Sequence, residues 1–142
     1  MGTKTYDPAQ IIATVGPAII TGFADGTFVK ASRETDTFTD YAGADGEVTR
    51  ARSRDKRGTV EFTLSQASPS NDLLSALATM DEQLGTGIVP FLLKDVNGTT
   101  LCAGGEAWVK KPADVEYGKE VGTRAWTIRV ARLLTFAGGA VF

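Results

Sequence analysis

Few side chains in this 142-residue chain could do chemistry, and those that could lack the neighbours that chemistry needs. There is no histidine, so a general base or nucleophile would have to be a carboxylate, a lysine or the single thiol, Cys102. That thiol stands in an apolar TTLCAGG stretch, where a small buried hydrophobe is its ordinary use. Acid pairs occur at Asp81-Glu82 and at Glu116 and Glu120, in segments where solvated surface charge explains them. Asp95, Asn97 and Glu106 fall at calcium-loop positions, but Thr100 stands where that loop requires glycine, and Asn97-Gly98 reads better as a hairpin turn. No phosphate-cradling glycine loop or dinucleotide fingerprint follows a strand. The expectation is therefore no catalytic residue, no cofactor and no metal.

The charge balance excludes a second group of functions. Seventeen acidic and fifteen basic residues give a net charge of −2, which offers no global attraction to nucleic acid or to an acidic membrane. What charge there is gathers in residues 33–57, RETDTFTDYAGADGEVTRARSRDKR. Glu34, Asp36, Asp40 and Asp45 make the outgoing limb acidic, and Arg50, Arg52, Arg54, Lys56 and Arg57 make the returning limb basic. With Phe38 and Tyr41 spaced along it and Asp45-Gly46 as a turn, the stretch predicts a long hairpin or arm projecting from the body. A solvated, partly disordered loop is the other reading.

The remaining elements form the body. Ser68 to Leu84 is the one convincing helix, placed at about residues 69–84, with Ser68 as cap, Pro69 at the first helical position, Ser70 as a competing cap and Gly85 as terminator. Leu73, Leu77 and Leu84, with Met80 alongside, predict its core face. Elsewhere the pattern is strand. Gly58–Gln66 alternates Val60, Phe62 and Leu64 with Glu61, Thr63 and Ser65, so one face is buried and the other wet. Residues 18–23 and 27–34 flank an Asp25-Gly26 turn as a hairpin, 88–94 and 99–109 flank Asn97-Gly98, and 123–136 reads as one long strand. Gly104-Gly105 suggests a bulge or a close backbone approach. Sixteen glycines suit the many tight turns of short strands. The whole is one mainly β domain over residues 1–142, an antiparallel barrel or sandwich with one flanking helix. Residues 1–10 form an amino-terminal arm with no secretory signal, no apolar run is long enough to span a bilayer, and the apolar tail 137–142 needs a groove in its own domain or a neighbour's.

Those turns and the helix carry a resemblance. GFADGTFV at 22–29, GADGEVTR at 43–50, SPSNDLLSAL at 68–77 and KDVNGTT at 94–100, within a pattern covering nearly the whole chain, resemble the small tail-tube structural proteins of contractile-tailed bacteriophages. The resemblance implies a virion protein, made and assembled in the host cytoplasm. It implies six copies to a ring, rings stacked into a hollow tube inside a sheath, and strands of neighbouring subunits joined in one inner barrel. Its partners would be further copies of itself, the tail sheath protein, the baseplate hub, the tail terminator, and the tape-measure protein and DNA in the lumen, without sequence-specific binding. On this reading Asp36, Phe38, Asp40, Tyr41, Asp45, Glu47, Arg50, Arg52, Arg54 and Phe142 are candidates for contacts between subunits or rings, and Glu61, Thr63 and Ser65 for the lumen wall. A baseplate or tube-initiating ring protein, or a secretion-system tube subunit, is the alternative in the same class. A small β-barrel binding module or carboxylate enzyme is the alternative in another.

Overall fold

The computed structural model describes residues 2–139. Among them, a 3₁₀ turn (Pro8–Gln10) leads into β1 (Ile11–Val15), β2 (Ala18–Ile19), β3 (Val29–Arg33), β4 (Phe38–Ala42), β5 (Val48–Arg52), β6 (Gly58–Ser65), α1 (Ser70–Leu84), β7 (Val89–Asp95), β8 (Leu101–Lys111), β9 (Thr123–Val130) and β10 (Leu134–Phe136). Eight strands form one antiparallel sheet in the order β2-β1-β7-β8-β9-β6-β3, with β10 also on β8, while β4 and β5 pair only with each other.

The sheet folds over itself, because its inward side chains share one core although their strands lie far apart in the order. Ala13 and Val15 of β1, Phe91 and Leu93 of β7, Val60, Phe62 and Leu64 of β6, and Trp126, Ile128 and Val130 of β9 belong to a single buried cluster. Phe62 and Phe91 sit on strands separated by two others, yet their ring centroids are 6.3 Å apart, edge to face. The segment after β2 crosses between layers: Ile20 N–H donates to Ala13 O, then Ser65 N–H donates to Gly22 O and Ala24 N–H to Thr63 O. The body is thus sandwich-like and not a closed barrel. The hairpin expected between 18–23 and 27–34 does not form, since β2 turns back on β1 and β3 pairs with β6. The pairing across Asn97-Gly98 forms as expected.

The long strand expected over 123–136 is interrupted at 131–133, and β8 is irregular at the same level. Inward positions on β8 are Cys102 and Gly104 below Gly105-Glu106 but Ala107 and Val109 above it, and β9 runs inward at Trp126, Ile128 and Val130 whereas Leu134 and Phe136 of β10 are exposed. An extra residue in each strand reverses which side chains face the core. The glycine pair does what its sequence suggests, because a Cβ on Gly104 would collide with Val130 and the Arg132 carbonyl.

Helix α1 lies on the core side against β8 and β2. Ser68 Oγ accepts from Ser70 N–H and donates to Thr21 O, so Ser68 caps the helix while tying it to the crossing segment. Asn71 Oδ1 accepts from Trp126 Nε1 at 2.9 Å, and Gly85, at φ 68°, ends the helix. These ties set its rotation and correct the expected core face. Leu74 is 0% exposed and Ser70 and Ala78 are buried; Leu77 is half-buried and packs against the core as expected, whereas Leu73 is 46% exposed and Leu84 is 72% exposed. The helix carries two apolar stripes about 100° apart, and the Ser68, Ser70 and Asn71 hydrogen bonds turn the 70/74/78 stripe inward. Replacing Leu74 with alanine should destabilise the fold by about 2–5 kcal/mol, while the same change at Leu73 or Leu84 should stay within about 0.5 kcal/mol in urea unfolding.

Candidate assembly surfaces

The arm expected over 33–57 is a hairpin standing clear of the body. Its ladder runs from Phe38 opposite Arg52 to Ala42 opposite Val48, and every residue of β4 and β5 is exposed. Gly46, at φ 85°, supplies the turn, and Asp45 Oδ1 accepts from Glu47 N–H beside it. Directly opposed residues share a face. One face holds Phe38, Asp40, Val48, Arg50 and Arg52, with the Arg50 guanidinium 4.1 Å from the Phe38 ring centroid. The other holds Thr39, Tyr41, Thr49 and Ala51 and is uncharged.

Folding also sorts the charge by height. Beyond the Asp40–Arg50 rung the tip carries Asp45 and Glu47 and no base, whereas below that rung the two limbs carry Arg33, Arg52, Arg54, Lys56 and Arg57 against Glu34, Asp36 and Asp55. The arm is therefore acidic at its tip and basic at its foot, a polarity the limb-by-limb sequence reading did not resolve. At the foot, the Arg57 guanidinium grips Asp55, with Nη2 to Oδ2 at 2.8 Å, and Asp55 Oδ1 also accepts from Arg57 N–H. These bonds hold the Asp55 carboxyl down at about 2. Glu34 Oε2 pairs with Arg129 Nη1 at 2.8 Å, and Arg129 also donates to Thr59 Oγ1.

The body presents two unlike outer faces. On β3, β6 and β9, Glu61 is exposed and Thr63 and Ser65 are half-buried; Lys30 lies directly opposite Glu61, with Thr127 beyond, and Thr59 lies opposite Arg129. This face is small, hydroxyl-rich and locally neutral. On β8 and β10 the register sets Leu134 beside Ala103 and Phe136 beside Leu101, and Leu101, Leu134 and Phe136 are all exposed. Sequence reasoning missed this second face because it extended the alternation of β9 through residues 131–133; the Gly104-Gly105 pair was the available signal of the reversal. Cys102 lies beneath it, where burial pushes its thiol pKa up. Phe142 lies outside the described residues.

Comparison with known proteins gives this geometry a context. The family model of the bacteriophage PhiTE tail tube protein matches residues 8–138. Structural protein ORF10 of Pseudomonas phage KPP10 is 30% identical over 145 residues, spanning 96% of this chain and 84% of that protein. Among solved structures, the tube-terminating cap of the anti-feeding prophage superposes with a TM-score of 0.64 at 10% identity, covering 96% of this chain and 93% of the cap. A chain of the sheath/tube terminator of the extracellular contractile injection system PVC gives 0.64 at 12%, covering 95% and 99%. A chain of the PVC sheath–tube complex gives 0.58 at 14%, covering 94% and 92%. These three likenesses establish the fold.

The Asp55–Arg57 grip makes a titration prediction. The folded pKa of Asp55 lies below its unfolded value, so its stabilising contribution is complete above the ordinary carboxylate range and fades as pH falls toward about 2. An NMR titration of the Asp55 side-chain carboxyl should show a midpoint of about 2, and Arg57→Gln should return it toward the ordinary carboxylate range.

Proposed function

This chain belongs to the bacteriophage PhiTE tail tube protein family, and we propose that it polymerises as stacked six-membered rings into the hollow tail tube through which genome DNA is ejected. Family and relative are structural tail proteins, so the enzyme alternative falls away. In the proposed assembly the subunit is a component of the virion, made and assembled in the host cytoplasm. It is enclosed by the tail sheath protein, begun at a baseplate hub and closed by a terminator, with the tape-measure protein and then DNA in its lumen.

The observation that carries the reading is the arm. A hairpin whose strand residues are all exposed has little to hold it in isolation, since two strands alone are marginal in water. A fold that maintains such an element has a surface elsewhere to receive it, and a second copy supplies one. The contacts assigned to it are Asp36, Phe38, Asp40, Tyr41, Asp45, Glu47, Arg50, Arg52 and Arg54. Contact between unlike surfaces propagates into rings and open stacks, whereas a self-complementary patch ends at a dimer. The lumen wall in this reading is the neutral face of β3, β6 and β9, with Glu61, Thr63 and Ser65. Lys30 opposite Glu61 and Arg129 against Glu34 leave no run of free cations there to hold a phosphate backbone.

A second reading is that the chain forms a single terminating or initiating ring, and the superpositions on a tube-terminating cap and a sheath/tube terminator favour it. Length distribution separates the two: negative-stain images of the purified protein should show hollow tubes of uniform diameter and variable length, and single rings would select the second reading.

Two variants test the assignments. Deletion of residues 36–54 should leave a cooperatively melting monomer that forms neither rings nor tubes, and tubes of normal length from it would exclude the arm. Glu61→Cys on tubes enclosed by sheath should be shielded from a bulky maleimide, and free labelling from outside would remove Glu61 from the lumen.

A further inference from the structure

At the foot of the arm lies a shallow groove of about 490 Å³, lined by Lys56, Ala103, Gly104, Gly105, Arg132 and Leu134. Two glycines form part of its lining, and a Cβ on Gly105 would meet nothing within 4 Å. Leu134, 61% exposed, offers an aliphatic wall, and Lys56 and Arg132 add positive charge. Glycine backbone, an aliphatic wall and flanking cations suit a flat aromatic ring, whose face attracts cations, carried on a negatively charged segment.

This chain carries such a segment. Tyr41 stands 72% exposed on the uncharged face of the arm, one rung beyond the Asp40–Arg50 pair, and the tip past it carries Asp45 and Glu47 and no base. Its own tip stands away from that groove: Arg33 Nε donates to Leu133 O, which places the groove beside the arm's foot, whereas Tyr41 lies eight residues beyond Arg33 on a hairpin whose strands pair only with each other. We infer that the groove of each subunit receives Tyr41 from the arm tip of a second copy, acidic tip against basic foot. This rests on the tube reading above and names the surface that the arm engages. The contact joins two different surfaces, so it repeats from copy to copy without closing on itself.

Three measurements on the full-length chain test it. A Tyr41→Cys/Gly105→Cys double variant, treated with a short bismaleimide after assembly, should give a ladder of covalent multimers, while neither single variant does. Gly105→Leu fills the groove from a position with open space, so it should keep the wild-type melting temperature while raising the concentration for half-assembly by about tenfold or more. Glu47→Lys and Arg132→Glu should each weaken assembly, and their combination should restore it. No ladder, wild-type assembly by Gly105→Leu, or failure of the charge exchange to restore assembly would each overturn the inference. Should Gly105→Leu fail to fold, the ladder and the exchange decide. Wild-type protein that forms neither rings nor tubes would instead overturn the tube reading itself.

Discussion

Where the two limbs of the arm leave the β3–β6 ladder, one residue of the core, Leu133, bonds to both of them. Its side chain is fully buried, its N–H donates to Lys56 O at 2.8 Å on the returning limb, and its carbonyl accepts from Arg33 Nε at 3.0 Å on the outgoing limb. The fit against the start of β6 is close, because a Cβ on Gly58 would collide with the Leu133 side chain. An exposed hairpin of this length acts as a lever, and its direction is set by how firmly its foot is held. Here the hold is the Arg33–Gly58 end of the β3–β6 ladder, with Glu34 N–H on Arg57 O, joined by two hydrogen bonds to Leu133, whose apolar side chain lies in a close-packed interior. The arm is therefore aimed by the core although nothing in the core touches its tip.

The same residue organises the surface. For Leu133 to point inward, the alternation of β9 must reverse at 131–133, and β8 reverses beside it at Gly105-Glu106. Above the reversal, the outer side of the sheet shows threonines, serines and balanced charges. Below it, the outer side shows Leu101, Leu134 and Phe136. One curved sheet thus presents a neutral wall and an apolar one, separated by two glycines and a strand break.

The sequence announced what local chemistry controls. The alternation of β6, the Asn97-Gly98 turn, the extent of the helix and the existence of the arm all follow from side-chain period and turn residues, and all are present. It misled where tertiary contacts override local pattern. Leu73, Leu77 and Leu84 make as plausible a helical stripe as Leu74 with Ala78; of the three only Leu77 packs against the core, and the rotation that decides this rests on Ser68, Ser70 and Asn71 bonding to Thr21 and Trp126, residues distant in sequence. Residues 18–23 have the pattern of a hairpin strand, yet each half finds a better partner, β1 for the first and β6 for the second. The arm's charge could be counted from the sequence, but its polarity from tip to foot needed the register, because Asp40 and Arg50, ten positions apart in the chain, are directly opposed and offset each other, leaving Asp45 and Glu47 alone beyond them.

That polarity also bears on which assemblies the subunit avoids. Two feet brought face to face would set Arg52, Arg54, Lys56 and Arg57 of one copy, only partly offset by Glu34, Asp36 and Asp55, against the same residues of another, and two tips would oppose Asp45 and Glu47 with themselves. Like-charge juxtaposition disfavours both symmetric pairings, while tip against foot is attractive. Net charge near zero leaves no overall repulsion between copies, so orientation is governed by this local separation. An apolar patch alone would associate in any orientation that covered it. In the proposed contact, an apolar patch with a basic rim that meets an acidic tip favours one orientation over the others.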